Sequence, residues 1–174
     1  MYVIREEKRI ERPLIVSYSY SGNTHQIARG LQKVTGGDWC VLHPRQPYPM
    51  AFSELLEQVR GEIQSGYCPG LLSDVRSPSA YSMIFAGSPN WCGTIAPPLA
   101  SWLKQYDLNG KIIFPFYSHC GGVPCDFQEE IQKICPKAEV REPLGVIGDG
   151  EEGLMETIDR WLQDVIPGKV RSSA

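Results

Sequence analysis

Long apolar runs are scarce in this sequence. None approaches the roughly 20 residues that a bilayer-crossing helix requires, so no membrane span is expected. Basic charge is not in excess either: 17 Lys and Arg stand against 20 Asp and Glu, a formal net charge of −3. A nucleic-acid binder would need a basic face, so no such partner is expected. Cys-x-x-Cys pairs are missing too, the closest spacing being Cys120-x4-Cys125 among six cysteines. Zinc by the usual ligand spacings has no support, and no metal is expected. Near the start, Arg5-Glu6-Glu7-Lys8-Arg9 runs into Ile10-Glu11-Arg12 without the apolar stretch of a signal peptide. A chain of this length forms a core without staples, so we expect reduced cysteines and a cytoplasmic protein.

What is present is ordinary for a folded globule. The 174 residues are 42% hydrophobic and 21% charged, which argues against disorder and for one domain. That domain is expected over residues 13–166, between a charged arm (1–12) and a C-terminal tail (167–174). Pro13-Leu14-Ile15-Val16-Ser17-Tyr18 reads as a buried strand. Ile27, Leu31 and Val34 then share a helical face that Gly36-Gly37 ends. Trp39 to Leu42 reads as a second strand, and Phe52, Leu55, Leu56, Val59 and Ile63 mark a helix running to about Ser65. Residues 66–80 read as loop, Tyr81–Ala86 as the third strand and 87–95 as loop. Pro97-Pro98 suits the first turn of a helix, whose early N–H groups lack partners anyway. Lys111–Tyr117 is the fourth strand and Glu139–Val146 the fifth, followed by helices through Phe127, Ile131 and Ile134 and through Leu154, Ile158, Leu162 and Val165 respectively.

Strands alternating with helices imply an α/β fold, a doubly wound five-stranded parallel sheet with helices on both faces. Ligands of such sheets bind beyond the carboxyl ends of the strands, where strand order reverses. Taking 2-1-3-4-5, one of the two common orders, the loops Ser19–Thr24, Gly87–Thr94 and Ser118–Pro124 converge. The first, Ser19-Tyr20-Ser21-Gly22-Asn23-Thr24, carries hydroxyls and an amide but no cation. Placed where a strand hands over to a helix, it suits a phosphate, with Gly22 permitting the tight turn. Capping by Asn23 or Thr24 is the plain alternative, but it needs one polar residue rather than the whole run.

Other phosphate signatures fail. There is no GxxxxGKS/T, and no GxGxxG follows the first strand. The Cys135-x5-Arg141 string has no glycine inside it and forms no amide cradle. In the second loop Trp91 sits among turn residues, where a flat ring can stack on a ligand, whereas Trp39, Trp102 and Trp161 read as core or half-core. His119 and Cys120 in the third loop offer an imidazole and a thiol and are weak catalytic candidates.

These motifs carry a resemblance. Ser19–Thr24, with Ala28 four residues on, resembles the phosphate loop of flavodoxins. Phe85 to Thr94 followed by Pro97-Pro98 is similar to the second flavin-contacting loop of a flavodoxin-like subfamily, and Leu108-Asn109-Gly110-Lys111 and Gly121-Gly122 fit the same subfamily. The resemblance implies non-covalent FMN, its phosphate on Ser19, Ser21, Asn23 and Thr24 with backbone help from Tyr20 and Gly22. The ring would lie between Pro89, Asn90, Trp91, Cys92 and Gly93 on one side and Ser118, His119, Cys120, Gly121 and Gly122 on the other.

Two features depart from the electron carriers of that family. The third loop has no ring larger than imidazole, and the chain is only mildly acidic. The fifth strand also leaves no room between Ala138 and Gly148 for the insertion of long-chain flavodoxins. Three readings follow. One is an FMN electron-transfer protein working with redox partner proteins. Another is an NAD(P)H-dependent FMN reductase of quinones or similar small acceptors. The third is a flavin- or thiol-based redox sensor, in which Cys92 and Cys120 would face the ring edge.

Overall fold

Leu14, Ile15 and Val16 are successive in sequence, and each is fully buried. In an extended segment successive side chains point to opposite faces, so burying all three requires cover on both faces and puts the segment at the centre of a sheet. The computed structural model, which describes residues 11–72, 76–121 and 124–166, places it there. In chain order the elements are β1 (Leu14–Ser17), α1 (Asn23–Thr35), β2 (Asp38–Val41), α2 (Phe52–Ser65), β3 (Met83–Trp91), β4 (Thr94–Ile95) and α3 (Pro97–Gln105). They continue with β5 (Ile112–His119), α4 (Phe127–Ile134), β6 (Glu139–Val140), β7 (Leu144–Ile147) and α5 (Leu154–Val165). The sheet order is β2-β1-β3-β5-β6, with β7 also paired to β5. All of these pairings are parallel.

The pleat sends alternate residues to two cores. Leu14, Val16, Ile84, Ala86 and Ile113 pack with Leu55 and Val59 of α2, Leu99 and Trp102 of α3, and Phe127 and Ile131 of α4. Ile15, Phe85, Phe114, Phe116, Leu144 and Val146 pack with Ile27 and Leu31 of α1 and with Ile158, Trp161 and Leu162 of α5. Trp102 and Trp161 are thus core residues, as expected, and Trp39 is half-buried. The doubly wound α/β class and the converging strand ends hold.

Three expectations need correction. The fifth strand is not continuous: it is split into β6 and β7, and the register on β5 slips by one residue between Ile113↔Val140 and Phe116↔Leu144. Pro115 and Pro143 flank the break, and neither has an N–H to donate to the ladder. The interruption is a bulge rather than an inserted loop. Residues 87–91 are not loop either but the end of β3, which folds back through Cys92 and Gly93 into the antiparallel β4. Both of those residues have positive φ, 55° and 83°, as a two-residue hairpin turn demands. Ser118 and His119 likewise lie within β5. Gly122, most of the arm and the whole tail lie outside the described residues.

One half-buried histidine should make stability depend on pH. His25 of α1 meets Trp39 edge to face with ring centroids 5.5 Å apart, and its Nε2 is buried without a hydrogen-bond partner. Burial, then the neighbouring His43, pushes its pKa below the usual 6.5. The folded chain therefore binds fewer protons here than the unfolded chain. Stability is fully present above pH 6.5 and is lost as the pH falls through the lowered pKa. Thermal unfolding between pH 5 and 7.5 should show this decline, shallower in His25→Gln.

Candidate flavin site

The first loop leaves β1 with the Tyr18 amide donating to the Gly87 carbonyl of β3 at 3.0 Å. It then turns so that the Gly22 amide donates to Ser19 Oγ at 3.0 Å. Gly22, with φ 97° in the left-handed region, is the N-cap of α1, and no side chain caps the helix. The capping alternative for Asn23 and Thr24 is thereby removed. No acidic residue stands in the first turn either. First-turn N–H groups have no intrahelical acceptor, and the helix dipole adds partial positive charge beside them. Thr24 is turned inward: its Oγ1 lies 2.8 Å from Ser118 Oγ, both buried, and this hydroxyl pair ties the loop to β5.

Beside this helix end opens a cavity of about 390 Å³. Tyr20, Ser21 and Asn23 line it from the first loop, and Pro89, Asn90, Trp91, Cys92 and Gly93 from the end of β3 and its turn. Ser118, His119, Cys120 and Gly121 complete it from β5 and beyond. Twelve of the sequence-derived site residues thus share one cavity, while Ser19, Gly22 and Thr24 do not line it. Asn90 Oδ1 accepts the Gly93 amide at 3.0 Å, so the amide side chain braces the turn. His119 Nδ1 accepts the Gly121 amide at 3.1 Å, which leaves the ring proton of the neutral imidazole on Nε2.

Trp91 is half-buried in a nest of tyrosines. Tyr48, Tyr18 and Tyr20 meet it edge to face, with centroids at 5.0, 5.5 and 5.9 Å. Tyr48 is itself fixed, its hydroxyl donating to Glu62 Oε2 at 2.7 Å, and burial with that carboxylate raises its pKa above the usual range. Tyr20 donates to the Pro49 carbonyl at 2.7 Å and thereby stitches the first loop to the approach to α2. The indole is thus held by three rings, and edge-to-face contact is a favourable geometry for aromatic pairs.

The residue reading missed one wall. Phe52, Leu55, Leu56 and Val59 of α2 also line the cavity and make it largely apolar. The helical spacing of these residues was visible; that one flank of the stripe looks into a cavity was not. Among the described residues no three His, Cys, Asp or Glu side chains gather as a metal site, and no helix is long and apolar enough to cross a membrane.

A flavodoxin family model matches residues 12–164. No curated protein matches the chain by sequence. Among solved structures, a candidate flavoprotein from Bacteroides eggerthii is 22% identical with a TM-score of 0.76, covering 88% of this chain and 97% of its own. The flavoprotein of Lactobacillus acidophilus, solved in complex with FMN, is 20% identical with a TM-score of 0.70 over 87% of this chain and 98% of its own. Oxidised flavodoxin 2 from Bacillus cereus, also 20% identical, gives 0.52 over 87% and 94%. The likeness to these structures is one of fold, and the family match spans nearly every described residue: this chain belongs to the flavodoxin family.

Proposed function

We propose that the cavity binds FMN and that the protein works in electron transfer. The observation that carries this reading is the opening of α1: a left-handed Gly22 cap, no capping side chain and no first-turn acid, facing a cavity that Trp91 borders. A phosphate fits that donor set. The first-turn amides and the Ser21 and Asn23 side chains would hold it, with Ser19 fixing the turn behind them. Thr24 serves through its bond to Ser118. FMN, when bound, supplies the electron and hydride chemistry.

The chain's own residues set the conditions for that chemistry. Among the described residues the lining carries no Lys or Arg, so none of them sets a fixed cation beside the ring to favour extra negative charge, which would keep a reduction potential low. Trp91 offers a flat surface whose tilt the three tyrosines fix. Trp91→Ala should weaken FMN binding by about 1–3 kcal/mol, by analogy with stacking losses on nucleobases, and should brighten the bound flavin's fluorescence. An unchanged Kd would return Trp91 to a packing role.

A second reading is supported by the apolar wall of α2, where Phe52 is 75% exposed at the cavity's edge. Such a wall suits a quinone or another small apolar acceptor, with NAD(P)H as reductant and the His119 Nε2–H as a hydrogen-bond donor at the rim. An anaerobic NAD(P)H titration of the FMN-loaded protein separates the readings. Persistent oxidised absorbance supports transfer between protein partners, and prompt bleaching supports the reductase.

A further inference from the structure

The six cysteines divide sharply by position. Cys40 and Cys135 are buried in the α2/α3/α4 core, and Cys125 is half-buried beside it. Burial pushes the Cys125 thiol up to about 12 and the Cys135 thiol up to about 11, so neither supplies thiolate near neutral pH. Cys68, half-buried, has Lys104 Nζ 3.3 Å from its sulfur and is not part of the cavity lining. The two cysteines that are exposed, Cys92 and Cys120, both line the cavity. They come from different elements and are brought together by the β3–β5 pairing, in which Pro89 faces Ser118.

Neither thiol is where it is for the sake of the backbone. Cys92 occupies the first position of the two-residue turn, at φ 55°, where Asn, Asp or Gly is the ordinary choice. Cys120 follows the last residue of β5 and leads into Gly121. Among the described residues no Asp or Glu lines the cavity to repel an anionic reagent.

We propose that Cys92 and Cys120 are a modification site at which small disulfides of the glutathione type exchange and reversibly close the cavity to its ligand. In the step, the cysteine loses its proton and its thiolate attacks one sulfur of the small disulfide. The S–S bond of the reagent breaks as the new protein S–S bond forms. The departing thiolate takes up a proton, and no electrons are lost or gained overall. The attached tripeptide fills the space that Trp91 and α2 enclose, and a reducing thiol removes it by the same exchange. This regulation rests on the FMN reading of the cavity, whereas the identity of the reactive thiols does not.

The full chain, treated with oxidised glutathione, is mapped by peptide mass spectrometry and titrated with FMN before and after. Adducts are expected on Cys92 and Cys120 and not on Cys40, Cys125 or Cys135, with FMN binding lost from the modified fraction and regained after reduction. FMN present at about 100 times its Kd should slow modification of these two thiols by up to about a hundredfold, leaving Cys68 unaffected. In C92S/C120S, whatever its own affinity, treatment should change nothing further. Adducts confined to Cys68, or adducts on Cys92 and Cys120 with FMN affinity intact, would overturn the proposal. Failure of the untreated protein to bind FMN would instead remove the flavin reading, and the adduct map would then decide the thiol assignment alone.

Discussion

Ser21→Asp should abolish FMN binding. Ser21 is exposed, lines the cavity and immediately precedes the Gly22 cap of α1. A carboxylate there meets the same helix end that is proposed to hold the phosphate. It occupies the first-turn amides itself and repels a dianion. Two unit charges about 4 Å apart in a partly screened site repel by about 4 kcal/mol, which is roughly a thousandfold in Kd. An acidic residue at a helix N-terminus usually stabilises the helix by about 0.3–1 kcal/mol, so the apo protein should melt no lower than the parent. Ser21→Ala, which removes a hydroxyl without adding charge, should cost only about 1 kcal/mol of binding. Fluorescence titration at low salt reads all three proteins, and an unchanged Kd for Ser21→Asp would sink the phosphate assignment.

Gly87→Ala should be the most destabilising single-methyl addition to the sheet. A Cβ at this position would stand 2.1 Å from Phe116 Cε2, 2.3 Å from Cζ and 2.5 Å from Cδ2. Phe116 is fully buried against the α1/α5 face and has nowhere to retreat without displacing neighbours. Overpacking of this kind costs up to about 3 kcal/mol, and in a chain of this size each kcal/mol lowers Tm by about 2–4 °C. A fall of about 6–12 °C is expected on that scale. Combining it with Phe116→Leu should recover part of the loss, because the two sites share one contact. Gly61→Ala is the matched control: an exposed glycine within α2 with open space at its Cβ, which should gain about 0.5–1 kcal/mol. Equal melting of Gly87→Ala and the parent would mean that Phe116 yields freely.

Much of this architecture can be read directly from residue order. The apolar run through Leu14, Ile15 and Val16 marked a buried strand, and the loops at the ends of three strands marked twelve of the residues that line the cavity. The parts that escaped did so for definite reasons. Pro89 and Asn90 are poor strand formers, and the pairings that keep them in β3, Pro89 with Ser118 of β5 and Asn90 with Ile95 of β4, are tertiary effects. Cys92 does not announce a two-residue turn as Asn would, so the hairpin to β4 was hidden. In the fifth strand, Pro143 was visible, but the slip shows only in the register on β5, between Ile113↔Val140 and Phe116↔Leu144. The α2 wall was missed because a helix face that looks into a cavity has the same periodicity as one that looks into a core.

The hydroxyl pair between Thr24 and Ser118 joins residues 94 positions apart in the chain. It forms only after β1, β3 and β5 have lined up, and parallel pairings of such separation are among the slow events of folding. The binding loop is therefore finished late in folding. A ligand that needs the finished loop should leave the refolding rate unchanged and slow escape from the native state, which refolding and unfolding kinetics with and without FMN would read. FMN, bound as proposed, would then act as a lock on a completed fold and not as a template for it.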